Sequence, residues 1–305
     1  MNDLILHHYD ASPFTQKALL MLGIKGLSWN SVETAMMPPK PDLVALTGGY
    51  RGTPVLQIGA HVYIDSQRIA RELDLRFPEN PLMPADQGGL ALALVKWADM
   101  FFRSALHLII DQTAVHWDEG FLEDRKYLFW DIDFDNIGDI AVHAAGQFRA
   151  HASLINDQLA DGRAFLAGDQ PTLCDVQAWP FFWIARAGIQ NSDSLLGDFD
   201  FLPPWEERVA AIGDGQRQIM SAEDALAIAR ADTPEYEGSV DTADPAGLRA
   251  GQSVRIKPED TRRGAVEGEL VAAHANELVI RRSDDRTGEV MVHFPRLGYR
   301  VTGLN

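Results

Sequence analysis

The sequence predicts an α+β chain in three parts: a small α/β layer with a mixed sheet, an all-helical bundle, and a small all-β barrel. Three observations carry that prediction. Residues 3–77 alternate short β-type runs with helical ones. Residues 90–231 repeat apolar side chains at helical spacing. Residues 247–305 break into five short alternating runs separated by turn residues.

In the first part "LILHHY" reads as a strand, "PFTQKALLMLG" as a helix ended by Gly23, and "LSWNSV" as a second strand. After the loop "AMMPPKPD", the runs "PVLQI" and "HVYI" meet through Gly59-Ala60, a two-residue hairpin turn with glycine first. "SQRIARELDLRF" is then a helix, with Ile69, Leu73 and Phe77 at four-residue spacing. The order is β-α-β, a linking segment, then β-β-α, and residues 1–80 form one domain. "PENPLMPADQGG" (78–89) holds three prolines and two glycines and marks its boundary.

A helical domain is predicted over 86–231. Leu90, Leu94, Trp97, Phe101, Ala105 and Leu108 share one face, while Asp99, Arg103, His107 and Asp111 form a polar ridge on another. Two acids, a histidine and an arginine make a poor metal-ligand set. A second helix covers roughly 137–160. "PTLCDVQAWPFFWIARAG" is a third, apolar on nearly every side and therefore central, with Thr172 and Asp175 as a capping pair. "PPWEERVAAI" and "SAEDALAIARA" continue the helical pattern, the latter capped by Ser221. "DTPEYEGSVDTADPAG" (232–247) reads as a linker, and the runs from "SVRIKP" to "YRVTGL" as the barrel over 247–305.

Composition narrows the function. The chain has 305 residues, 46% of them apolar and 23% charged, as in soluble globular proteins. Its net charge is −17; the last 59 residues carry ten Lys/Arg against eight Asp/Glu, so the rest carries −19. Such an acidic body repels phosphate backbones and anionic lipid heads, so neither nucleic acid nor a membrane is an expected partner. No run approaches the roughly 18 apolar residues of a membrane span. "MNDLILHHYD" lacks the basic start of a secretory signal. Cys174 is the single cysteine, which excludes an intrachain disulfide and a CxxC pair. A cytoplasmic protein is expected.

The motifs "SPFTQKALLML", "GTPVLQI", "YIDSQRIARELDLRFP", "PLMP" and "FLAGDQPTLCDV" follow one another in an order and spacing that resembles the glutathione transferase superfamily. The likeness covers about residues 3–230. It implies a thioredoxin-like first domain, an all-helical second domain, glutathione as co-substrate, no metal, and a homodimer. In this family the proline before the third strand is cis and turns the preceding peptide group towards a bound thiol peptide. Thr53, before Pro54, would then pair its backbone with the cysteinyl unit like one more strand. Asp65 would face the γ-glutamyl ammonium group, and Ser66 with the opening N–H groups of the next helix would take the α-carboxylate. The same Asp-Ser pair also reads as a plain helix cap.

A transferase must keep the bound thiol ionised. With a thiol pKa of about 8.5, only about 3% is thiolate at pH 7, and a shift of about two units takes roughly 2.7 kcal/mol. A hydroxyl donating to sulfur supplies about 1.5–3 kcal/mol. Two hydroxyls compete for that role. Ser12, before Pro13, stands at a helix N-cap, where the serine and cysteine classes of the family place their reactive residue. Tyr9, near the end of the first strand, is the alternative. "S-P-F" resembles an omega-like "C-P-F" pattern with serine for cysteine, which disfavours thiol–disulfide exchange by the protein itself. Lys40 and Arg51 are candidates for the glycyl carboxylate, Lys40 being the one retained. Trp97, Phe101 and Phe102 are the expected wall of a hydrophobic electrophile's pocket.

Other patterns carry less. "DIDFDNIGDI" (131–140) begins like a calcium loop but has Asn136 for the turn glycine and Val142 for the closing glutamate. His7 and His8 alternate across one strand and so cannot form a paired metal site. Two functions follow from different classes: an enzyme that activates glutathione for attack on a hydrophobic electrophile, and a non-catalytic adaptor of the same fold. The barrel over 247–305 is expected to be an independent protein-contact module.

Overall fold

The computed structural model describes residues 3–86 and 88–304. Strand β1 (Leu4–His8) is buried along its whole length, running parallel to β2 (Ser28–Glu33) and antiparallel to β3 (Val55–Ile58). β3 returns as β4 (His61–Ile64) through Gly59, whose φ of +59° is one that glycine adopts without strain. Around them stand α1 (Pro13–Ile24), α2 (Pro41–Thr47) and α3 (Ser66–Arg76). The thioredoxin-like layer is present as expected. α2 falls in the segment read only as a link, because its seven residues follow two prolines and offer little periodicity.

The helical part comprises α4 (Gly88–Thr113), a 3-10 turn at Ala114–His116, α5 (Glu119–Leu128), α6 (Ile137–Leu159), α7 (Leu173–Gly188), α8 (Ser192–Leu196) and α9 (Leu202–Ala210). Its core is aromatic: Phe101 of α4 meets Phe148 of α6 and Phe181 and Phe182 of α7, with ring centroids 4.9–5.6 Å apart. α7 begins at the capping box that "PTLCD" predicts. Thr172 accepts from Cys174 N–H, and the buried Asp175 carboxylate accepts from the N–H of Thr172 and Leu166 and from the Trp205 indole. Cys174 is buried, and burial raises its thiol pKa.

After α9 the chain returns to the sheet as β5 (Gln216–Ile219), parallel to β2, and α10 (Ala222–Ala231). β5 is polar and exposed; pairing with β2 rather than an apolar pattern makes it a strand. Then come β6 (Ser253–Pro258), β7 (Val266–Ala273), β8 (Glu277–Asp284), β9 (Gly288–Pro295) and β10 (Tyr299–Gly303), near the runs read from the sequence. They do not close into a barrel. The sheet order is β10-β6-β7-β8-β9-β4-β3-β1-β2-β5, a single ten-stranded sheet, and among the described residues no ladder joins β10 to β9. The free side of β9 is taken by β4, which it joins in parallel register, His61 opposite Met291 and Tyr63 opposite His293.

Two compact units result. One takes the described residues up to Thr15, Ser28–Glu72 and those from Gln216 on; the other takes Gln16–Leu27 and Leu73–Gly215. This differs from the expected three-part division in two places: α10 and the C-terminal strands share a unit with β1–β4. In that unit one face of the extended sheet buries Val62, Ile64, Val292, Ile280, Val254 and Phe294 in a continuous core with Leu226 and Ala229 of α10. The opposite face holds a polar cluster. Glu277 accepts from His293 Nδ1 (2.8 Å), Arg68 Nε (2.7 Å) and the Tyr236 hydroxyl (3.0 Å), and His293 Nε2 lies 3.0 Å from His61 Nδ1. Burial lowers the pKa of His293, so its neutral ring donates from Nδ1 to the carboxylate and accepts at Nε2 from His61. The 232–247 segment, expected to be a linker, is strapped down: Asp232 accepts from Ala60 N–H, and Val240 bridges Ala273.

His7 and His8 are both buried, on opposite faces, bonded to Gln57 Oε1 and Ser31 Oγ. Burial lowers both imidazoles to about 4, with Arg217 adding to the effect at His8. An unfolded chain would protonate them near 6.5, so their contribution is complete above that pH and is lost as pH falls towards about 4. For fully buried His7 a shift of this size corresponds to about 3 kcal/mol. At Glu277 burial alone would raise the pKa, but the His293 hydrogen bond and the Arg68 charge outweigh it and hold it at about 2. Its contribution is lost between about 4.5 and 2. Thermal denaturation across pH should show a plateau above pH 6.5 and a midpoint falling steadily below it; a midpoint flat from pH 7 to 4 would contradict the burial of these histidines.

Candidate functional site

Register brings the candidate residues to one end of the sheet. His7 pairs with Val55 and Val55 with Ile64, so the residues after β1, before β3 and after β4 lie side by side. Those residues are Tyr9 and Ser12, Thr53 and Pro54, and Asp65 and Ser66. The Thr53–Pro54 bond is cis, as the resemblance implies.

Ser12 is buried and caps α1: its Oγ accepts from Thr15 N–H at 3.3 Å, and its own N–H donates to Tyr9 O at 3.2 Å. The hydroxyl proton of Ser12 has no acceptor among the described residues. Tyr9 is half-buried, and the Lys40 ammonium stands 5.4 Å over its ring. Asp65 sits at φ +78°, a left-handed conformation that is uncommon outside glycine and collects at functional sites. There it opens α3: Oδ1 accepts from Gln67 N–H at 3.0 Å, and its carbonyl accepts from Arg68 and Ile69 N–H. Ser66 is buried, yet its hydroxyl has no hydrogen-bond partner among the described residues. Cap and candidate ligand site therefore coincide in one Asp-Ser pair.

The expected pocket wall is only partly available. Phe101 is fully buried among Phe148, Phe181 and Phe182, and is a core residue rather than a pocket wall. Trp97 and Phe102 are half-buried; Trp97 leans on Phe101 and His151, and Phe102 on Phe129 and Phe181. The 131–140 segment is a local turn in which Asp133 accepts from Asp135 and Asn136. Among the described residues no group of three or more His, Cys, Asp or Glu is set to hold a metal ion, and no helix is long and apolar enough to cross a membrane.

Sequence reasoning missed the residues that the C-terminal strands bring to this end. Tyr299, at the start of β10, lies with its hydroxyl 3.2 Å from Asp65 Oδ2 and 3.4 Å from the Tyr50 hydroxyl. Tyr50 in turn accepts from Arg263 Nη1 at 3.1 Å, and the Arg263 guanidinium stands 5.9 Å over the Phe14 ring, two residues from Ser12. Arg263 is also held by Thr261 Oγ1 and Asp260 Oδ2. Burial raises the pKa of both phenols, so Tyr50 and Tyr299 remain O–H donors. At Arg263 burial opposes the charge, but the facing Asp260 and Asp65 and the two phenols hold its pKa well above the ordinary value. The pairs "GG" at 48–49 and "RRG" at 262–264 were the only available signals: Gly264, at φ +98°, brings the place of a side chain within 2.2 Å of Gly49 O.

A thioredoxin-like layer whose cis-proline adjoins a strand-to-helix Asp-Ser corner, with an all-helical unit beside it in the chain, defines a glutathione-transferase-type fold. The family model for the glutathione S-transferase N-terminal domain matches residues 6–81, and that for the C-terminal domain matches residues 141–208. A GST-like protein from Pseudomonas syringae, known as a crystal structure, is 35% identical with a TM-score of 0.83, the match covering 100% of both chains. The chain belongs to the glutathione S-transferase superfamily. The Arabidopsis thaliana Glutathione S-transferase U4 is 29% identical over 96 residues, 32% of this chain and 42% of that one, so the chain spans less than half of that relative. A glutathione S-transferase of Ceriporiopsis subvermispora, solved in complex with glutathione, is 18% identical with a TM-score of 0.54 over 69% of this chain and 96% of that one, a likeness of fold. The Pseudomonas match runs through the C-terminal strands as well.

Gly264→Ala should force the 263–265 loop off the Gly49 carbonyl. The left-handed φ adds strain of about 1–3 kcal/mol on its own. A clear drop in the thermal midpoint is expected; an unchanged midpoint would mean that the two loops do not hold each other.

Proposed function

We propose that the protein binds glutathione at the end of β1, β3 and β4 and ionises its thiol for attack on a hydrophobic electrophile. The observation that carries this reading is the convergence of Ser12 and Ser66, two buried serines whose hydroxyl protons have no acceptor among the described residues, beside the carboxylate of Asp65. A γ-glutamyl zwitterion matches the second pair, its ammonium group facing Asp65 and its carboxylate facing the Ser66 hydroxyl. Thr53 offers its backbone to the cysteinyl unit. Ser12, at the N-terminus of α1, then donates to the sulfur, where the helix dipole adds about 0.3–1 kcal/mol. Lys40, over Tyr9, supplies a cation for the glycyl carboxylate. Trp97 and Phe102 remain the candidates for the electrophile's wall, and a cytoplasmic homodimer is the expected form.

Ser12→Ala should return the bound thiol's pKa most of the way to about 8.5 and cut thiolate at pH 7 more than tenfold, with little change in affinity. Ser66→Ala should weaken binding by about 1.5–3 kcal/mol and leave that pKa nearly alone. Thiolate absorbance titrated in each variant bound to glutathione reads both. If Tyr9→Phe loses the low pKa and Ser12→Ala keeps it, the tyrosine is the activator. If the parent binds glutathione without ionising it at neutral pH, the transferase reading gives way to a non-catalytic adaptor.

A further inference from the structure

The C-terminal strands end at the candidate ligand site. Asp65 Oδ1 is engaged by its own helix, so Oδ2 is the oxygen left to meet a ligand's ammonium group, and Tyr299 holds that oxygen. The direction of the bonds is set by charge. The Arg263 guanidinium can only donate, to Tyr50 Oη; the Asp65 carboxylate can only accept, from Tyr299 Oη. The Tyr50 proton then points to the Tyr299 oxygen, giving one run of donors: Arg263 to Tyr50 to Tyr299 to Asp65. A chain of hydrogen bonds running from a fixed cation to an anion polarises each member and strengthens the last bond.

The same loops fix the other wall. Arg51 N–H donates to Arg263 O at 2.8 Å, and Gly264 abuts Gly49, so the segment leading to Thr53 is held by the strand extension too. Every residue of this network belongs to the unit that carries β1–β4.

We propose that the C-terminal extension is part of the glutathione site, with Tyr299 as the positioning residue that aims Asp65 Oδ2 at the ammonium group of the γ-glutamyl unit. Arg263, through Tyr50, holds Tyr299 in the donating orientation. Tyr299 touches no reacting atom; it sets where the carboxylate charge lies. The inference rests on the glutathione reading above, and its test separates the two.

Calorimetry with two probes decides it: glutathione, and glutathione lacking its α-amino group. For Tyr299→Phe, affinity for glutathione should fall about tenfold, the size expected for a lost hydrogen bond to a charged group, while affinity for the deaminated probe stays as in the parent. In an Asp65→Asn background the same substitution should have no further effect, because the two residues act through one contact. Tyr50→Phe should give a smaller loss with the same selectivity, and serves if Tyr299→Phe fails to fold. Equal losses for both probes, additive effects with Asp65→Asn, or tighter glutathione binding would overturn the proposal while leaving glutathione as the ligand. A parent that binds neither probe overturns both readings.

Discussion

The parallel ladder between β4 and β9 is the contact on which the rest of the first unit depends. β4 would otherwise end the sheet with a row of open N–H and C=O groups, a liability that proteins cover or blunt. Here a strand more than 220 residues further along the chain covers it, His61 meeting Met291 and Tyr63 meeting His293. Register then does the remaining work. With β9 fixed against β4, β8 and β7 follow as a meander, β6 pairs with β10, and Tyr299 arrives beside the residue that ends β4. A slip of one residue in that ladder would exchange the two faces and move every one of these side chains.

The two faces explain why the register is firm. On one, Val62 and Ile64 join Val292 and Phe294 in an apolar core. On the other, Glu277, His293, His61, Arg68 and Tyr236 satisfy one another. A buried carboxylate left without Arg68 and His293 would cost several kcal/mol, so any pairing that separated them is penalised. The apolar face supplies affinity between strands, and the polar face selects which alignment is allowed.

Much of this was legible in the sequence, and the misses have physical causes. The hairpin at Gly59-Ala60, the caps at Thr172 and Ser221 and the Asp65-Ser66 corner were readable because each is a local bargain between a backbone group and a nearby side chain. The five C-terminal strands were readable from alternation; their partner was not, because alternation says which side of a strand is wet and nothing about which edge is paired. One signal was there. "VMVHF" in β9 is apolar without alternation, as befits a strand covered on both faces inside a wide sheet, whereas β6 reads "SVRIKP" with every second residue exposed. Phe101 was misplaced for a related reason: helical spacing puts Trp97, Phe101 and Phe102 near one another but does not tell a core ring from a pocket wall.

The arrangement at Asp65 also shows why two phenols stand between it and Arg263. A guanidinium placed directly against the carboxylate, about 4 Å away, would attract it by about 4 kcal/mol near a protein surface, and at double that separation by about 2. Direct pairing would also fill the carboxylate's bidentate positions and leave no charge for an incoming ammonium group. A phenol donates one proton, orients one oxygen and brings no net charge. Tyr299 can thus fix the Asp65 side chain while the carboxylate keeps the negative charge that a zwitterionic ligand needs, and Arg263, held by Asp260 and Thr261, sets the direction of the chain from a distance. Fixing the acceptor before the ligand arrives removes an ordering cost from binding. The extension then has a physical reason to be fused to this fold: it completes an edge of the sheet, and at the end of that edge it holds still the one side chain whose charge must face the ligand.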